Sequence, residues 1–364
     1  MPDYLEQIKA LEKEISTTPY NKATQHHIGL LKAKIARLRD KHEARSAKKG
    51  GKHGYEVRKS GDGTVIIIGY PSVGKSTLLN GLTDANSKIG SYAFTTLNVV
   101  PGVMEYNHAK IQILDVPGIV KGASVGTGRG KEVLSVIQSA DLVLYLIEVN
   151  HLGHYEVLKK ELFDKHIRVN QRRPDVKIKK TGKDGIKIAT TVKLKKINKP
   201  TIKSILNEFR IINADVVIRE DISPDQLIDC IEDNKKYIPG ITILNKIDTV
   251  GEKKVRQANK KIKADLAISA EKRTHLNELK ELIFQKLNLI RIFMKEPGKD
   301  ADLEVPLIIS KGVTVRDVCI KLHRDFVDKF KFCRVWGKSS KFPGQKLTLK
   351  HKLIDGDILE IHLT

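Results

Sequence analysis

The sequence contains little cysteine and no long apolar run. Its three cysteines, Cys230, Cys319 and Cys333, are too few and too scattered for a disulfide framework or a four-ligand zinc site, so we expect reduced, buried thiols. No segment approaches the ~18 uncharged apolar residues that a membrane span needs. The N-terminal stretch Met1-Pro2-Asp3-Tyr4 also lacks the apolar core of a signal peptide. These absences predict a cytoplasmic protein with no membrane association.

Acidic residues are outnumbered, and the imbalance is local. The chain has 66 Lys+Arg against 43 Asp+Glu, a net charge of +23. Residues 61–158 carry six basic and eight acidic side chains, whereas residues 165–203 carry fourteen basic and only two acidic ones. Smaller basic excesses lie in residues 1–60 and 303–364. Such concentrated charge favours binding to a phosphate backbone, with a solvated lysine-rich surface as the alternative.

The length of 364 residues allows two or three domains, and the apolar pattern divides the chain. Helical spacing over residues 4–15 and from Ile28 to Leu38 predicts a helical hairpin, and a flexible basic linker should begin at Glu43. Continuous β-branched or aliphatic runs predict buried parallel strands, and hence an α/β fold with a doubly wound sheet. These runs are residues 64–69, 110–115, 142–149 and 241–245.

About ninety residues separate the last two of these strands, which indicates an inserted module. Within it, strand-like alternation occurs at 176–178, 186–191 and 192–194, and a helix is predicted around Ile202 to Phe209. The predicted domains are therefore a basic hairpin with its linker (1–60), a core domain in two parts (61–159 and 237–296), an inserted basic α/β module (160–236), and a compact C-terminal domain after a polar linker (303–364).

A glycine-rich loop joins the first buried strand to a helix start. Residues 69–76 fit the G-x-x-x-x-G-K-[ST] pattern, whose backbone N–H groups wrap a β-phosphate beside a helix N-terminus. Lys75 would bridge the β- and γ-phosphates, and the Ser76 hydroxyl would bind Mg²⁺. The predicted phosphate contacts are Gly69, Ser72, Val73, Gly74, Lys75, Ser76 and Thr77.

A second motif, Asp-x-x-Gly at residues 115–118, follows the next strand. Asp115 can hold Mg²⁺ through water, and the Gly118 N–H can donate to the γ-phosphate. Between the two motifs, we predict that Thr96 is the threonine that closes over the metal, and Thr95 is the competing candidate. The alternative is that both are ordinary loop threonines without a metal-binding role. The predicted catalytic residues are Lys75, Ser76, Thr96 and Gly118, and the predicted metal ligands are Ser76, Thr96 and Asp115.

The strand at 241–245 leads into Asn245-Lys246-Ile247-Asp248, at the strand end where open α/β sheets bind ligands. Asp248 can accept from guanine N1–H and the exocyclic amine, Asn245 can contact the N7 side, and the Lys246 stem can lie against the base. A polar group left unpaired by adenine can discriminate by roughly 10⁴. Residues Ser269, Ala270 and Glu271 would complete the pocket with a backbone N–H. The sequence therefore predicts a guanine-specific, Mg²⁺-dependent GTPase.

Ile119 stands where Ras-like proteins have the glutamine that orients the attacking water. An aliphatic side chain at this position predicts slow intrinsic hydrolysis. The water would then be positioned by backbone groups, by a bound monovalent cation such as K⁺, or by a regulatory protein partner.

The motifs resemble those of the developmentally regulated GTP-binding proteins, the DRG branch of the Obg-like translation-factor GTPases. The resemblance lies in the stretches 69–77, 94–97, 115–119 and 245–248, in the glycines from 122 to 130, and in Pro306 to Ile309, Thr314 to Asp317, Phe330 to Gly337 and Asp355 to Leu359. It implies a helical hairpin, an inserted ribosomal-protein-like module and a C-terminal, β-grasp-like TGS domain. It also implies association with ribosomes and a role in translation. Some relatives use K⁺, but many of those have asparagine where this chain has Ser72.

Two hypotheses remain for the whole protein: a ribosome- or RNA-associated GTPase, and an RNA-binding scaffold or chaperone that holds GTP mainly as a structural ligand. Asp248 argues against an ATP-dependent switch. The inserted module is the predicted RNA-binding element, with phosphate contacts from Lys177, Lys179, Lys180, Lys193, Lys195 and Lys196.

Overall fold

The computed structural model describes residues 4–19, 21, 23–48, 61–83, 100–116 and 136–364. Its contacts divide the chain into two compact units. One unit combines residues 1–54 with residues 171–237, and the other combines residues 55–170 with residues 238–364. The structure therefore joins the predicted hairpin and most of the predicted insert in one body.

The first unit contains a helical hairpin and a small α/β layer. Its helices are α1 (Tyr4–Thr17), α2 (Gln25–Lys48), α5 (Lys199–Glu208) and α6 (Pro224–Glu232), and its three-stranded sheet has the order β6-β8-β7, formed by β6 (Val176–Lys180), β7 (Ile186–Thr190) and β8 (Ala214–Ile218). Ala33 of α2 is buried in the same apolar cluster as Ile202 and Val216. Salt bridges of Lys32 with Asp225 and Arg37 with Glu208 also fasten α2 to the module. Both predicted helices are present, and α2 packs on the α/β layer.

The second unit contains a six-stranded sheet with strand order β11-β10-β4-β1-β3-β2. Its strands are β1 (Gly63–Ile68), β2 (Val100–Tyr106), β3 (Ala109–Asp115), β4 (Leu142–Glu148), β10 (Gly240–Asn245) and β11 (Leu266–Ala267). The flanking helices are α3 (Lys75–Leu82), α4 (His154–Asp164), α7 (Glu252–Ile262) and α8 (Leu276–Lys286). Residues of β1 alternate between two apolar clusters, one on each face, so the buried parallel strands are confirmed.

A five-stranded sheet with the order β13-β12-β16-β14-β15 forms the C-terminal part of the same unit. It comprises β12 (Leu289–Lys295), β13 (Leu307–Ser310), β14 (Phe330–Trp336), β15 (Gln345–Leu347) and β16 (Asp357–Leu363), with helices α9 (Val315–Leu322) and α10 (Asp325–Asp328). Because β12 pairs with β13 and β16, the predicted domain start at 303 is too late. The predicted core segment 237–296 therefore extends too far.

Several other boundaries or elements differ from the sequence-based prediction. Helix α2 continues to Lys48, so the linker does not begin at Glu43. Residues 192–194 form no strand, and the predicted insert boundary at 160 falls inside α4. The edge strand β2 was not predicted. Two further short strands, β5 (Ile167–Val169) and β9 (Lys236–Ile238), lie next to the positions where the chain passes between the units.

The expectation of buried thiols holds for two of the three cysteines, whereas Cys230 is only partly buried. All three thiols are free, Cys319 and Cys333 are buried, and burial raises the pKa of Cys333 to about 12. Such thiols are poor nucleophiles at neutral pH. Within the described ranges, no helix has both the length and the apolarity to cross a bilayer.

Candidate nucleotide-binding site

The phosphate-binding loop lies between β1 and α3, and its glycines are required by close packing. A Cβ at Gly69 would stand 2.8 Å from the Leu146 carbonyl oxygen, a distance no real Cβ tolerates. Gly74 has φ of 96°, in the left-handed region that favours glycine, and a Cβ there would lie 2.7 Å from Asn245 Nδ2. Ser72 also adopts a positive φ, 61°. The loop therefore turns sharply at the carboxyl end of β1 and leads directly into the N-terminus of α3.

The predicted phosphate and metal residues meet at this turn. Lys75 begins α3, and its Nζ donates to the carbonyl oxygens of Gly69 at 3.2 Å and Tyr70 at 3.1 Å. Ser76 Oγ donates to Asp115 Oδ2 at 3.3 Å. Asp115 ends β3 and is buried, and its Oδ1 has no hydrogen-bond partner within the described ranges. Because Mg²⁺ prefers hard oxygen ligands, this hydroxyl and carboxylate pair fits such a cation.

Asn245 connects the phosphate loop with the predicted base-binding loop. Its side chain is 1% exposed. Nδ2 donates to the Val73 carbonyl oxygen at 2.9 Å, and Oδ1 accepts from the Ala270 N–H at 3.0 Å. The structure thus assigns Asn245 a fastening role that the sequence did not predict. The Ala270 N–H, a predicted donor to a base carbonyl, donates to Asn245 in this structure.

The charged members of the base motif lie at the surface end of β10. Asp248 is exposed in a short 3-10 helix, Ile247–Thr249, and a hydrogen bond from the Ser269 side chain lowers its pKa. Asp248 is therefore an ionised acceptor at neutral pH, as guanine recognition requires. Glu271, in the segment after β11, is also exposed. Lys246 adopts φ of 64°, and its Nζ donates to Glu148 Oε2 at 3.2 Å.

Two features beside the site escaped the sequence analysis. The Tyr70 ring stacks on His154 with centroids 3.7 Å apart, and His154 stacks on His151 at 5.3 Å. Glu148 contacts Lys246 from the end of β4. The only local signal for Glu148 was a charge that ends an otherwise apolar strand. The predicted residues Thr95, Thr96, Gly118 and Ile119 lie outside the described residues.

Two of the six predicted RNA-binding lysines lie on one exposed face of the three-stranded sheet in the first unit. Register pairs Lys177 with Val217, and both Lys179 and Lys187 with Asp215, so these side chains share one face of the sheet. That face is opposite the apolar cluster containing Val216, and all three lysines are exposed.

Lys180 ends β6, where register pairs it with the buried Ala214, so it lies on the opposite face of the sheet from Lys177 and Lys179. The remaining lysines of the predicted set, Lys193, Lys195 and Lys196, are exposed in the segment after β7. Within the described ranges, Lys177, Lys179, Lys180 and Lys193 are in none of the ion pairs, whereas Lys187 pairs with Asp184 at 3.3 Å.

Comparison with known proteins identifies the family. Residues 64–180 match the model described as a 50S ribosome-binding GTPase, and residues 183–289 match the C-terminal region of that GTPase domain. Residues 290–363 match the TGS domain, whose start agrees with the place of β12 in the C-terminal sheet.

The chain is 53% identical to an uncharacterized GTP-binding protein of Methanocaldococcus jannaschii over 98% of this chain and 92% of that protein. It is 42% identical to developmentally-regulated G-protein 2 of Arabidopsis thaliana over 98% of this chain and 90% of that protein. It also resembles the solved structure of a GTP binding protein from Pyrococcus horikoshii, with a TM-score of 0.45 and 16% identity over 83% of this chain and 100% of that chain. The phosphate loop, the base motif and the relatives all point to one family, and the relatives match this chain over nearly its full length. This chain therefore belongs to the developmentally regulated GTP-binding proteins, a branch of the Obg-like GTPases with a C-terminal TGS domain.

Proposed function

We propose that this GTPase is a slow, Mg²⁺-dependent switch of the cytoplasm that associates with ribosomes or RNA and acts in translation. The observation that supports the switch chemistry most directly is the pairing of Ser76 with Asp115 at 3.3 Å, beside Lys75. One oxygen of the buried Asp115 carboxylate has no partner within the described ranges. An unpaired buried carboxylate oxygen is costly, so a cation ligand is the natural partner for it.

The residues of the loop have separate tasks in this proposal. Mg²⁺, when bound, would neutralise charge that develops on the β- and γ-phosphate oxygens. Lys75 exchanges its loop carbonyls for phosphate oxygens, which are stronger acceptors because they are charged. Ser76 and Asp115 hold the metal, and Asp248 orients guanine. K⁺ remains a second cofactor candidate, to be tested by comparing turnover in potassium and sodium salts.

Multiple-turnover phosphate release tests the enzymatic function. Ser76→Ala and Lys75→Ala should each lose turnover on the order of 10²- to 10³-fold, the loss seen when one preorganised donor is removed from an active site. Ser16→Ala, which removes an exposed hydroxyl of α1, serves as the matched control and should be neutral. Wild-type turnover in the Ser76 variant would show that the metal role is wrong. GTP binding without repeated turnover in the wild type would favour the scaffold hypothesis.

The exposed lysine face supports the RNA part of the proposal. Its cations lie on both outer strands of the β6-β8-β7 sheet, and the neighbouring segment adds three more. Asp215 is the acidic residue that register places among them on the central strand. A positive surface of this kind binds phosphates by releasing condensed counterions. The family description as a ribosome-binding GTPase is consistent with such a ligand.

A salt titration of RNA or ribosome affinity tests this surface. The test variant replaces six lysines with serine: Lys177, Lys179, Lys180, Lys193, Lys195 and Lys196. It should bind more weakly than wild type. The slope of log affinity against log salt concentration should also become shallower, by about 0.7–0.9 for each phosphate that the protein no longer neutralises. Guanine binding should survive. The control replaces the exposed α7 lysines Lys253, Lys260 and Lys261 and should change the slope less. Unchanged affinity and slope in the test variant would identify the block as a solvated lysine surface.

A further inference from the structure

Glu148 lies at the end of β4, next to the base motif. In the parallel pairing of β4 with β10 it is the register partner of Asn245. Its side chain is only 19% exposed, and its Oε2 contacts Lys246 Nζ at 3.2 Å and the imidazole Nδ1 of His151 at 3.5 Å. Burial raises the pKa of Glu148, but the hydrogen bond and charge of Lys246 outweigh this effect and lower it overall. The carboxylate is therefore ionised at neutral pH.

Lys246 needs such an anchor more than an ordinary surface lysine does. Its φ of 64° is in the left-handed region, which a residue with a Cβ adopts at a cost, so its side chain leaves the backbone in an unusual direction. A lysine stem also has many rotamers, and holding one of them costs conformational entropy. The ion pair with Glu148 fixes the ammonium end and so restricts the stem before any ligand arrives.

We propose that Glu148 is a positioning residue for base recognition, because it holds Lys246 so that the lysine stem forms one wall of the guanine site. This inference rests on the proposed base site at residues 245–248. The stem contacts the flat face of a base, whereas Asp248 contacts the polar edge. Loss of Glu148 therefore weakens guanine and hypoxanthine nucleotides alike, although hypoxanthine lacks the exocyclic amine.

The test measures dissociation constants of GDP and IDP for the full-length protein in the presence of Mg²⁺. Glu148→Gln should weaken both nucleotides by the same factor, roughly threefold to tenfold for a partly buried ion pair. Glu156→Gln breaks the exposed pair with Lys159 on α4 and is the matched control, expected to be neutral. Equal affinities for wild type and Glu148→Gln would overturn the inference. A loss confined to GDP would also overturn it, because it would place the effect at the base edge.

A double-mutant cycle separates positioning from general structural damage. In a Lys246→Met background, Glu148→Gln should cause no further loss of affinity, because the stem no longer has an ammonium to hold. Fully additive losses would show that Glu148 acts independently of Lys246. Asp248→Asn tests the underlying site: if GDP keeps its advantage over xanthosine diphosphate in that variant, the base site itself is misassigned. If only the Glu148 result fails, the base site stands and the positioning role is wrong.

Discussion

Replacing Asn245 with alanine tests whether the base motif holds the phosphate loop in place. The Asn245 carboxamide joins Val73, in the phosphate loop, to Ala270, in the base loop, through two hydrogen bonds of 2.9 and 3.0 Å. Alanine removes both bonds, and the buried position gives water little access to the groups that remain. We therefore expect Asn245→Ala to reduce both stability and nucleotide affinity.

The size of the effect follows from the two lost bonds. Each contributes about 0.5–1.5 kcal/mol net, and a partner left dry and unpaired costs about 1–3 kcal/mol. The Ala270 N–H and the Val73 carbonyl can relax partly toward solvent or a ligand, so the expected loss in the free energy of unfolding is about 2–4 kcal/mol. The affinities for GTP and GDP should fall together, because the phosphate loop loses its link to the carboxyl end of β10.

Asn170 offers a matched control in the same unit. Its side chain also makes two hydrogen bonds, both to the first residue of β10: it donates to the Gly240 carbonyl oxygen at 3.0 Å and accepts from the Gly240 N–H at 2.7 Å. It is exposed and lies at the opposite end of β10 from Asn245. Asn170→Ala should therefore lower stability, by about 1 kcal/mol because water can replace the lost partners, and leave nucleotide affinity unchanged.

The assay combines denaturant unfolding of the nucleotide-free protein with titration of a fluorescent GDP analogue. Asn245→Ala should shift both measurements, and Asn170→Ala only the first. If Asn245→Ala bound nucleotide as tightly as wild type, the fastening role would be refuted. If Asn170→Ala weakened nucleotide to the same degree, the loss would reflect general destabilisation of β10 instead.

Two further predictions concern charge. Asp248→Asn should weaken GTP binding and allow xanthosine triphosphate to bind, because the amide can donate to the base carbonyl that replaces the exocyclic amine. Competition binding measures both effects. Equal displacement by ATP and GTP in the wild type would refute the guanine assignment. Burial of Glu360 raises its pKa, but Lys295 at 2.8 Å and His362 at 2.6 Å outweigh this and lower it below the ordinary 4.5. A carboxyl group whose pKa is lower in the folded state stabilises the fold at pH values above its unfolded-state pKa. The contribution of Glu360 should therefore disappear as the pH falls below about 4.5 and through the folded-state pKa. The unfolding free energy of Glu360→Gln, measured between pH 7 and pH 3.5, should depend less on pH than that of wild type; equal pH dependence would contradict the assignment.

The chemistry of the phosphate loop and the positions of the central strands could be predicted from the residues alone. Binding a phosphate requires consecutive backbone N–H groups, so the necessary residues are contiguous in 69–76 and visible as a motif. Strands β1, β4 and β10 are buried on both faces, and their continuous aliphatic composition shows this without knowledge of their neighbours. The base motif was likewise recognisable at the end of such a strand.

The tertiary structure decided which partner each ambiguous segment takes. Strand β2 contains Pro101 and Gly102, which weaken a strand pattern, yet it forms the sheet edge, where a proline is tolerated. The composition of strand β12 does not specify which of the two sheets it joins after α8. Only its pairing with β13 and β16 assigns it to the C-terminal sheet.

The same dependence on distant partners applies at the site. Asn245 and Val73 are far apart in sequence, as are Lys246 and Glu148, and no local pattern records either interaction. Only adjacent parallel strands, β4 beside β10, bring Glu148 next to the base motif. Local periodicity encodes which surface of an element is buried, whereas the packing of such elements on one another depends on the register and order of strands that the whole chain selects.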